Sequence, residues 1–370
     1  MHQYMTSQTR GQTFFSLFSK GQSNSRCRSL RSYVICTVFL LLFLCYYIIP
    51  NEMSASWAIT VGLLLPEKLA TQTINASLNR VSAVTSAERW KPPEPYYVAY
   101  PYKYNLVLNE PEKCQKENPF LILMVPVAPS NTAARDTVRS TWGSERLVGD
   151  KTVNVLFLLG LPTSEDRETL QQNLLQEREK YHDLIQSDFW DSYYNLTIKT
   201  MVMLEWLSVY CQNASFAMKV DADMFLHVKN LVDMLQSAPK QNYMTGLVAR
   251  NAMVIRNPTS KWYLPKTVYS QPLYPPYALG LGYVFTLDLP EKLIKAAQHV
   301  KSVYIEDVFL GLCMTHLGIP LTDPPDGSLF NVFPVQYNRC RYSKLIATTT
   351  HSMRDQVEFW KDLQKPGPYC

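Results

Sequence analysis

Residues 219–226, KVDADMFL, end an apolar run in two aspartates one residue apart and then return at once to hydrophobic side chains. Carboxylates within apolar sequence are costly unless a cation answers them. In extended backbone, alternate residues point the same way, so Asp221 and Asp223 can address one site. Oxygen ligands of this kind suit hard divalent cations such as Mn2+ or Mg2+, which also bind phosphates. The plainer alternative is a turn capping a helix at 228, but the pair stands well before that helix and residues 224–226 stay apolar.

A second acidic pair, Glu306-Asp307, sits in SVYIEDVFLGLC. Acids at a helix start complement its dipole. Large apolar neighbours on both sides suit the same pair to a partly enclosed general base. Between the acidic pairs lies YPPYALGLGYVFTLDL (274–289), where Gly280 and Gly282 allow close backbone approach and Tyr283 offers a ring to a sugar. A glycine-kinked strand packed on a helix explains that stretch equally well.

These residues need a frame. FLILMVPVA (120–128), VNVLFLLG (153–160) and SFAMKV (215–220) are continuous apolar runs of the kind that strands buried on both faces require. Residues 130–143 read as a short helix ended by Gly143, and 228–236 as another. Leu170, Leu174, Leu175, Tyr181, Leu184 and Ile185 recur at helical spacing over 163–186, and 196–212 form a further helix. The alternation implies an α/β sheet, mainly parallel in its N-terminal half, with ligands at the carboxyl ends of its strands. Asp221 and Asp223 fall there.

Hydrophobic residues at 46% in a chain of 370 support a folded domain with a large core. The formal charge of +5 is small and its basic residues are interleaved with acids, so no nucleic-acid partner is expected. Residues 33–49 carry no charge and follow a polar tail, 1–32, that holds Arg26, Arg28 and Arg31. The expectation is a single-pass anchor with the N-terminus in the cytosol. A Pro- and Tyr-rich stem, 50–113, and a compact domain, 114–370, would follow outside the cytosol. Asn75, Asn195 and Asn213 match the N-glycosylation pattern. Cys114, Cys211, Cys313, Cys340 and Cys370 lie where disulfides form, and their odd number leaves a thiol free or paired with another chain. Cys370 is therefore open to linking a homodimer, which could also be non-covalent.

The ordered set RDTVRSTWG (135–143), FLLG (157–160), DFWDSYYNLTIKT (188–200), KVDAD (219–223), YPPYALGLGYV (274–284) and EDVFLGLC (306–313) resembles the β-1,3-galactosyltransferase family. That inverting group also contains β-1,3-N-acetylglucosaminyltransferases, and the resemblance covers about residues 114–363. It implies a Rossmann-like α/β domain of GT-A type with a mixed, mainly parallel sheet, in a type II Golgi membrane protein whose catalytic domain is lumenal. It implies UDP-galactose as donor and a GlcNAc- or GalNAc-terminated glycan, on glycoprotein or glycolipid, as acceptor. By the same resemblance Asp223 would ligate Mn2+ at the UDP diphosphate. Asp221 would help hold metal or nucleotide, and His351 would be a further ligand. Asp307 would be the base, with Glu306 as neighbour and rival. Arg135, Arg139 and Trp142 would lie near the uridine end. Ala222 departs from the acid or serine usual at the middle of the Asp-rich motif. Two other readings are a UDP-N-acetylglucosamine transferase of the same fold and an anchored sugar-binding protein without turnover.

Overall fold

The computed structural model describes residues 96–370. The tail, the anchor at 33–49, the stem up to residue 95 and Asn75 lie outside the described residues. Among the described residues, no helix is long and apolar enough to cross a membrane.

The strands are β1 (Leu106–Leu108), β2 (Leu121–Pro126), β3 (Leu147–Val148), β4 (Lys151–Leu161), β5 (Leu184–Trp190), β6 (Phe216–Val220), β7 (Met224–Leu226), β8 (Met244–Ala249), β9 (Tyr277–Thr286), β10 (Phe330–Asn331) and β11 (Ala347–Thr349). The α-helices are α1 (Lys113–Glu117), α2 (Thr132–Ser140), α3 (Arg167–Tyr181), α4 (Leu196–Tyr210), α5 (Val228–Gln236), α6 (Leu289–Ala297), α7 (Glu306–His316), α8 (Arg339–Tyr342) and α9 (Met353–Leu363).

The larger sheet runs β1-β5-β4-β2-β6-β9-β8, with β3 paired to β4. Its centre, β5-β4-β2-β6, is parallel, and its edges β1, β9 and β8 are antiparallel. The expected α/β fold with a mixed sheet is thus the observed one. Along β2 the side chains alternate between two cores: Ile122 and Met124 join the cluster with α4, α6 and α7, whereas Leu121, Leu123 and Val125 join the cluster with α2 and α5. Burial on both faces is why this strand reads as an unbroken apolar run. A smaller sheet, β10-β11-β7, folds the C-terminal segment back so that Thr349 lies opposite Met224.

Three expectations are corrected. Residues 184–190 are strand rather than helix: His182 takes a left-handed conformation (φ 51°), ends α3, and lets LIQSDFW pair with β1 and β4. Leu184 and Ile185 keep helical spacing only by coincidence of their apolar neighbours. Helix α2 stops at Ser140, and Trp142–Ser144 form a 3-10 turn. There the chain returns so closely that a Cβ on Gly143 would lie 2.6 Å from Val138 O. The folded body also begins before Cys114, since Val98, Tyr100 and Leu108 are buried and β1 pairs with β5.

Candidate functional site

Strand β6 ends at Val220 and β7 begins at Met224, so Asp221-Ala222-Asp223 is a turn joining the two sheets, not the expected extended pair. The Met224 amide donates to Asp221 O at 3.2 Å and closes it, while the Asp221 amide donates to Leu281 O at 3.0 Å. The helix-cap alternative is excluded, because His227 caps α5: its Nδ1 accepts the Asn230 amide at 3.4 Å. From the other side, Thr350 donates its amide at 3.1 Å and its hydroxyl at 2.9 Å to Asp223 O. That pairing brings the backbone of the next residue, His351, beside the turn, with its side chain exposed. Asp223 is open to solvent on one side. Protein packed behind it, and then the charge of Asp221, push its carboxyl above the usual range.

The cation that answers these carboxylates from within the fold is Lys219. Its buried Nζ donates to Asp221 Oδ1 at 2.6 Å and to Gly280 O, and lies 3.3 Å from Glu306 Oε1. Burial works against its charge, yet Asp221 and Glu306 hold its pKa above that of an ordinary lysine. The β6–β9 register sets Lys219 opposite Tyr283, whose hydroxyl donates to Glu306 Oε2 at 3.1 Å. Thr200 on α4 donates to the same oxygen at 3.2 Å. Burial, opposed by Lys219, pushes Glu306 up to about 7.

Asp307 is held differently. Its Oδ2 accepts the Gly280 amide at 2.8 Å and its Oδ1 accepts the Val308 amide at 2.8 Å. Burial raises its pKa, and these amides oppose the rise. Gly280 is required here: a Cβ would lie 2.8 Å from Glu306 Oε1 and 3.3 Å from Asp307 Oδ2. Asp307 stays half-buried whereas Glu306 is buried, so the first can meet a substrate and the second is walled in.

Sequence reasoning missed several neighbours. Buried Lys199 on α4 donates to Val127 O at 3.1 Å and pairs with Asp191 Oδ2 at 2.7 Å, which also accepts the Gly160 amide at 2.8 Å. This clamp ties together the carboxyl ends of β2, β4 and β5. Lys261 lies 4.5 Å from the Trp262 ring and 5.6 Å from the Tyr193 ring, within electrostatic reach of Asp223. The signal for Lys199 and Lys219 is a lone lysine inside an apolar helix or strand, which folding tolerates only beside an anion.

Other expected residues are placed elsewhere. Arg135 is fully buried, and its guanidinium donates to Glu177, Ala128 O, Pro129 O and Thr132. Arg139 bonds Asp183, Glu177 and Asp136. Trp142 is buried and donates to Met224 O at 2.9 Å. Their side-chain donors are spent inside the protein, where they brace the strand ends and the Asp turn. Tyr283 is likewise corrected: it is fully buried under Glu306 and presents no ring to a sugar. Gly282 faces Met218, whose Cε would lie 2.9 Å from an added Cβ. Asn213 is exposed, whereas Asn195 Nδ2 donates to Trp190 O at 2.7 Å and the Thr197 hydroxyl is buried against Val303 O. Cys114 pairs with Cys211 and Cys340 with Cys370, while Cys313 is a buried free thiol. Cys370 is therefore not available to link two chains.

The donor set can be tested against a divalent cation. Among the described residues no group of three or more His, Cys, Asp or Glu side chains converges as a metal cage. The Asp turn offers two carboxylates, one partly desolvated and raised by the other. That fits a hard cation shared with substrate phosphates, and not a resident structural metal.

The acidic rim stands where α/β sheets of this kind place their ligands, outside the carboxyl ends of the strands. A sequence model of the family described as Galactosyltransferase matches residues 133–325. The chain is 37% identical over 321 residues to beta-1,3-galactosyltransferase 2 of Pongo abelii, covering 84% of this chain and 75% of that one. It is 39% identical over 267 residues to the Homo sapiens beta-1,3-galactosyltransferase 2, covering 71% of this chain but 63% of that protein's length. It is 36% identical over 266 residues to the Mus musculus beta-1,3-galactosyltransferase 1, covering 71% and 79%. The chain belongs to the galactosyltransferase family and is an enzyme of that class.

Proposed function

We propose that the protein transfers galactose from UDP-galactose in β-1,3 linkage to a GlcNAc- or GalNAc-terminated glycan on a glycoprotein or glycolipid, with inversion at the anomeric carbon. Asp221 and Asp223, with His351 nearby, would hold Mn2+, which supplies neutralising charge at the diphosphate leaving group. Asp307 accepts the proton of the acceptor hydroxyl as that oxygen attacks the anomeric carbon from the face opposite UDP. Its raised pKa makes it a stronger base than a free aspartate. The Gly280 and Val308 amides fix its orientation. Glu306, walled in by Lys219, Tyr283 and Thr200, holds that lysine and does not meet the acceptor. Lys219 also orients Asp221 in the turn. In the cell the catalytic domain would stand in the Golgi lumen on the anchor and stem, with Asn213 as a glycan acceptor.

What supports this reading is the convergence on one rim of the Asp turn and Asp307, joined through Lys219 and Gly280, in a chain of this family. Ala222 leaves both flanking carboxylates in place, so turnover is retained. The test is a donor panel on purified protein with Mn2+ and β-GlcNAc- or GalNAc-terminated acceptors. UDP-galactose should be consumed and UDP-N-acetylglucosamine spared; the reverse would make the protein an N-acetylglucosaminyltransferase, and UDP binding without product a sugar-binding protein. Asp307→Asn should lower kcat by about 10²–10⁴-fold with the fold intact, and Asp223→Ala should abolish transfer and Mn2+-dependent UDP binding together.

A further inference from the structure

Aromatic side chains gather on one face beside Asp307. Tyr193 and Tyr194 stand exposed on the 3-10 turn Tyr193–Asn195 between β5 and α4. Their ring centroids lie 6.4 Å and 5.1 Å from that of Tyr304, in the segment leading into Asp307. Tyr96 stacks on Tyr304 at 5.6 Å with an interplanar angle of 25°. Beyond it opens a cleft of about 890 Å3 whose wall includes Tyr97, Tyr102, Tyr104 and Trp190. The exposure of Tyr102 (64%) and Trp190 (38%) would be a solubility liability on a surface without a ligand.

The chemistry of the lining selects its occupant. Tyrosine and tryptophan rings offer an apolar face with a polar edge, which matches the C–H face and hydroxyl rim of a pyranose. Among the described residues no lysine or arginine lines the cleft, which suits a neutral ligand and not a phosphate. The one carboxylate among its described lining residues, Asp188, is already spent on the amide and side chain of Asn105, both at 2.8 Å. The volume is that of a small-molecule site. The cleft reaches toward the reaction centre through Tyr304, which lines it and belongs to the segment leading into Asp307.

We infer that this cleft is an extended acceptor subsite, in which Tyr102 and Trp190 hold the inner sugars of a neutral oligosaccharide whose terminal residue meets Asp307. The inference rests on the proposed transfer, which requires an acceptor at that carboxylate. The enzyme then prefers a long acceptor to a short one bearing the same terminal sugar.

The test uses the full-length protein and its Tyr102→Ala and Trp190→Ala variants, with UDP-galactose, Mn2+, a β-GlcNAc methyl glycoside and a tetrasaccharide ending in β-GlcNAc. Wild type should favour the tetrasaccharide by about tenfold in kcat/KM. Each variant should lose most of that preference through KM and leave the methyl glycoside unaffected. Equal use of both acceptors by wild type, or equal losses on both in the variants, overturns the subsite. Saturation-transfer NMR without donor supplies the second arm: inner-sugar protons should be saturated by wild type and not by the variants. If wild type turns over neither acceptor, the galactosyl reading falls, while that NMR signal still decides the cleft. A variant that converts a dimer to a monomer and keeps the length preference would make the face a contact between copies and overturn the proposal.

Discussion

The backbone amide of Gly280 donates to Asp307 Oδ2 at 2.8 Å, and this bond joins strand β9 to the first turn of α7. An alanine Cβ at 280 would press on Glu306 Oε1 and Asp307 Oδ2 together. Gly280→Ala should therefore lower kcat by about 10²-fold, the usual cost of displacing a reacting group by about an ångström, while thermal unfolding changes little. Gly327→Ala, which meets nothing within 4 Å, is the matched control and should keep full activity.

Lys219 is the buried countercharge for two elements at once, the Asp turn and the head of α7. Lys219→Met leaves Glu306 without its cation and should cost about 3–5 kcal/mol in urea unfolding. Adding Glu306→Gln should return part of that loss, because the uncompensated charge is then gone. A double variant no more stable than Lys219→Met alone would mean that the pair is not coupled.

The pH dependence of stability follows from Glu306, whose pKa rises from 4.5 to about 7 on burial. Between those values the folded protein binds a proton that the unfolded chain has released, so stability falls as pH rises through this window. Asp307, also raised by burial, acts in the same sense. Lys219, held above the ordinary lysine range by Asp221 and Glu306, and Tyr283, whose hydroxyl burial raises well above its usual value, do not titrate within the window. Urea midpoints measured from pH 4.5 to 7 should decline in wild type and flatten in Glu306→Gln. An identical decline in that variant would assign the slope to another group.

The two disulfides close loops of different size, with sequence separations of 97 and 30. Chain entropy makes the longer one worth more: replacing Cys114 and Cys211 together should cost about 4–5 kcal/mol, and replacing Cys340 and Cys370 about 3–4 kcal/mol. Mass spectrometry of the unreduced protein should show both intrachain pairs and a free thiol at Cys313. A covalent dimer through Cys370 would contradict the Cys340 pairing.

Much of this was legible before any coordinates. Strands β2, β4 and β6 announce themselves because a strand buried on both faces must be apolar at every position, and Asp221, Asp223 and Asp307 stand out against such neighbours. Strand β5 did not, because LIQSDFW carries two polar side chains buried inside the sheet: Gln186 is satisfied by Gln171 and Ser187 by Asn105 O. The arginines and Trp142 were visible as a motif, but their direction was not. Whether a guanidinium faces a ligand or Glu177 depends on α3, which lies far along the chain.

Local periodicity and residue type thus determined the α/β class and the acidic rim, while the ordered motifs carried the resemblance to the family. The tertiary structure alone decided that Lys219 answers the carboxylates, that Tyr283 is buried beneath Glu306 while Asp307 keeps an open edge, and that the C-terminal segment closes on the Asp turn. The physical reason is range. Backbone preference and hydrophobic alternation act over a few residues, whereas the partner of a buried charge is set by strand order and register, which no short stretch contains.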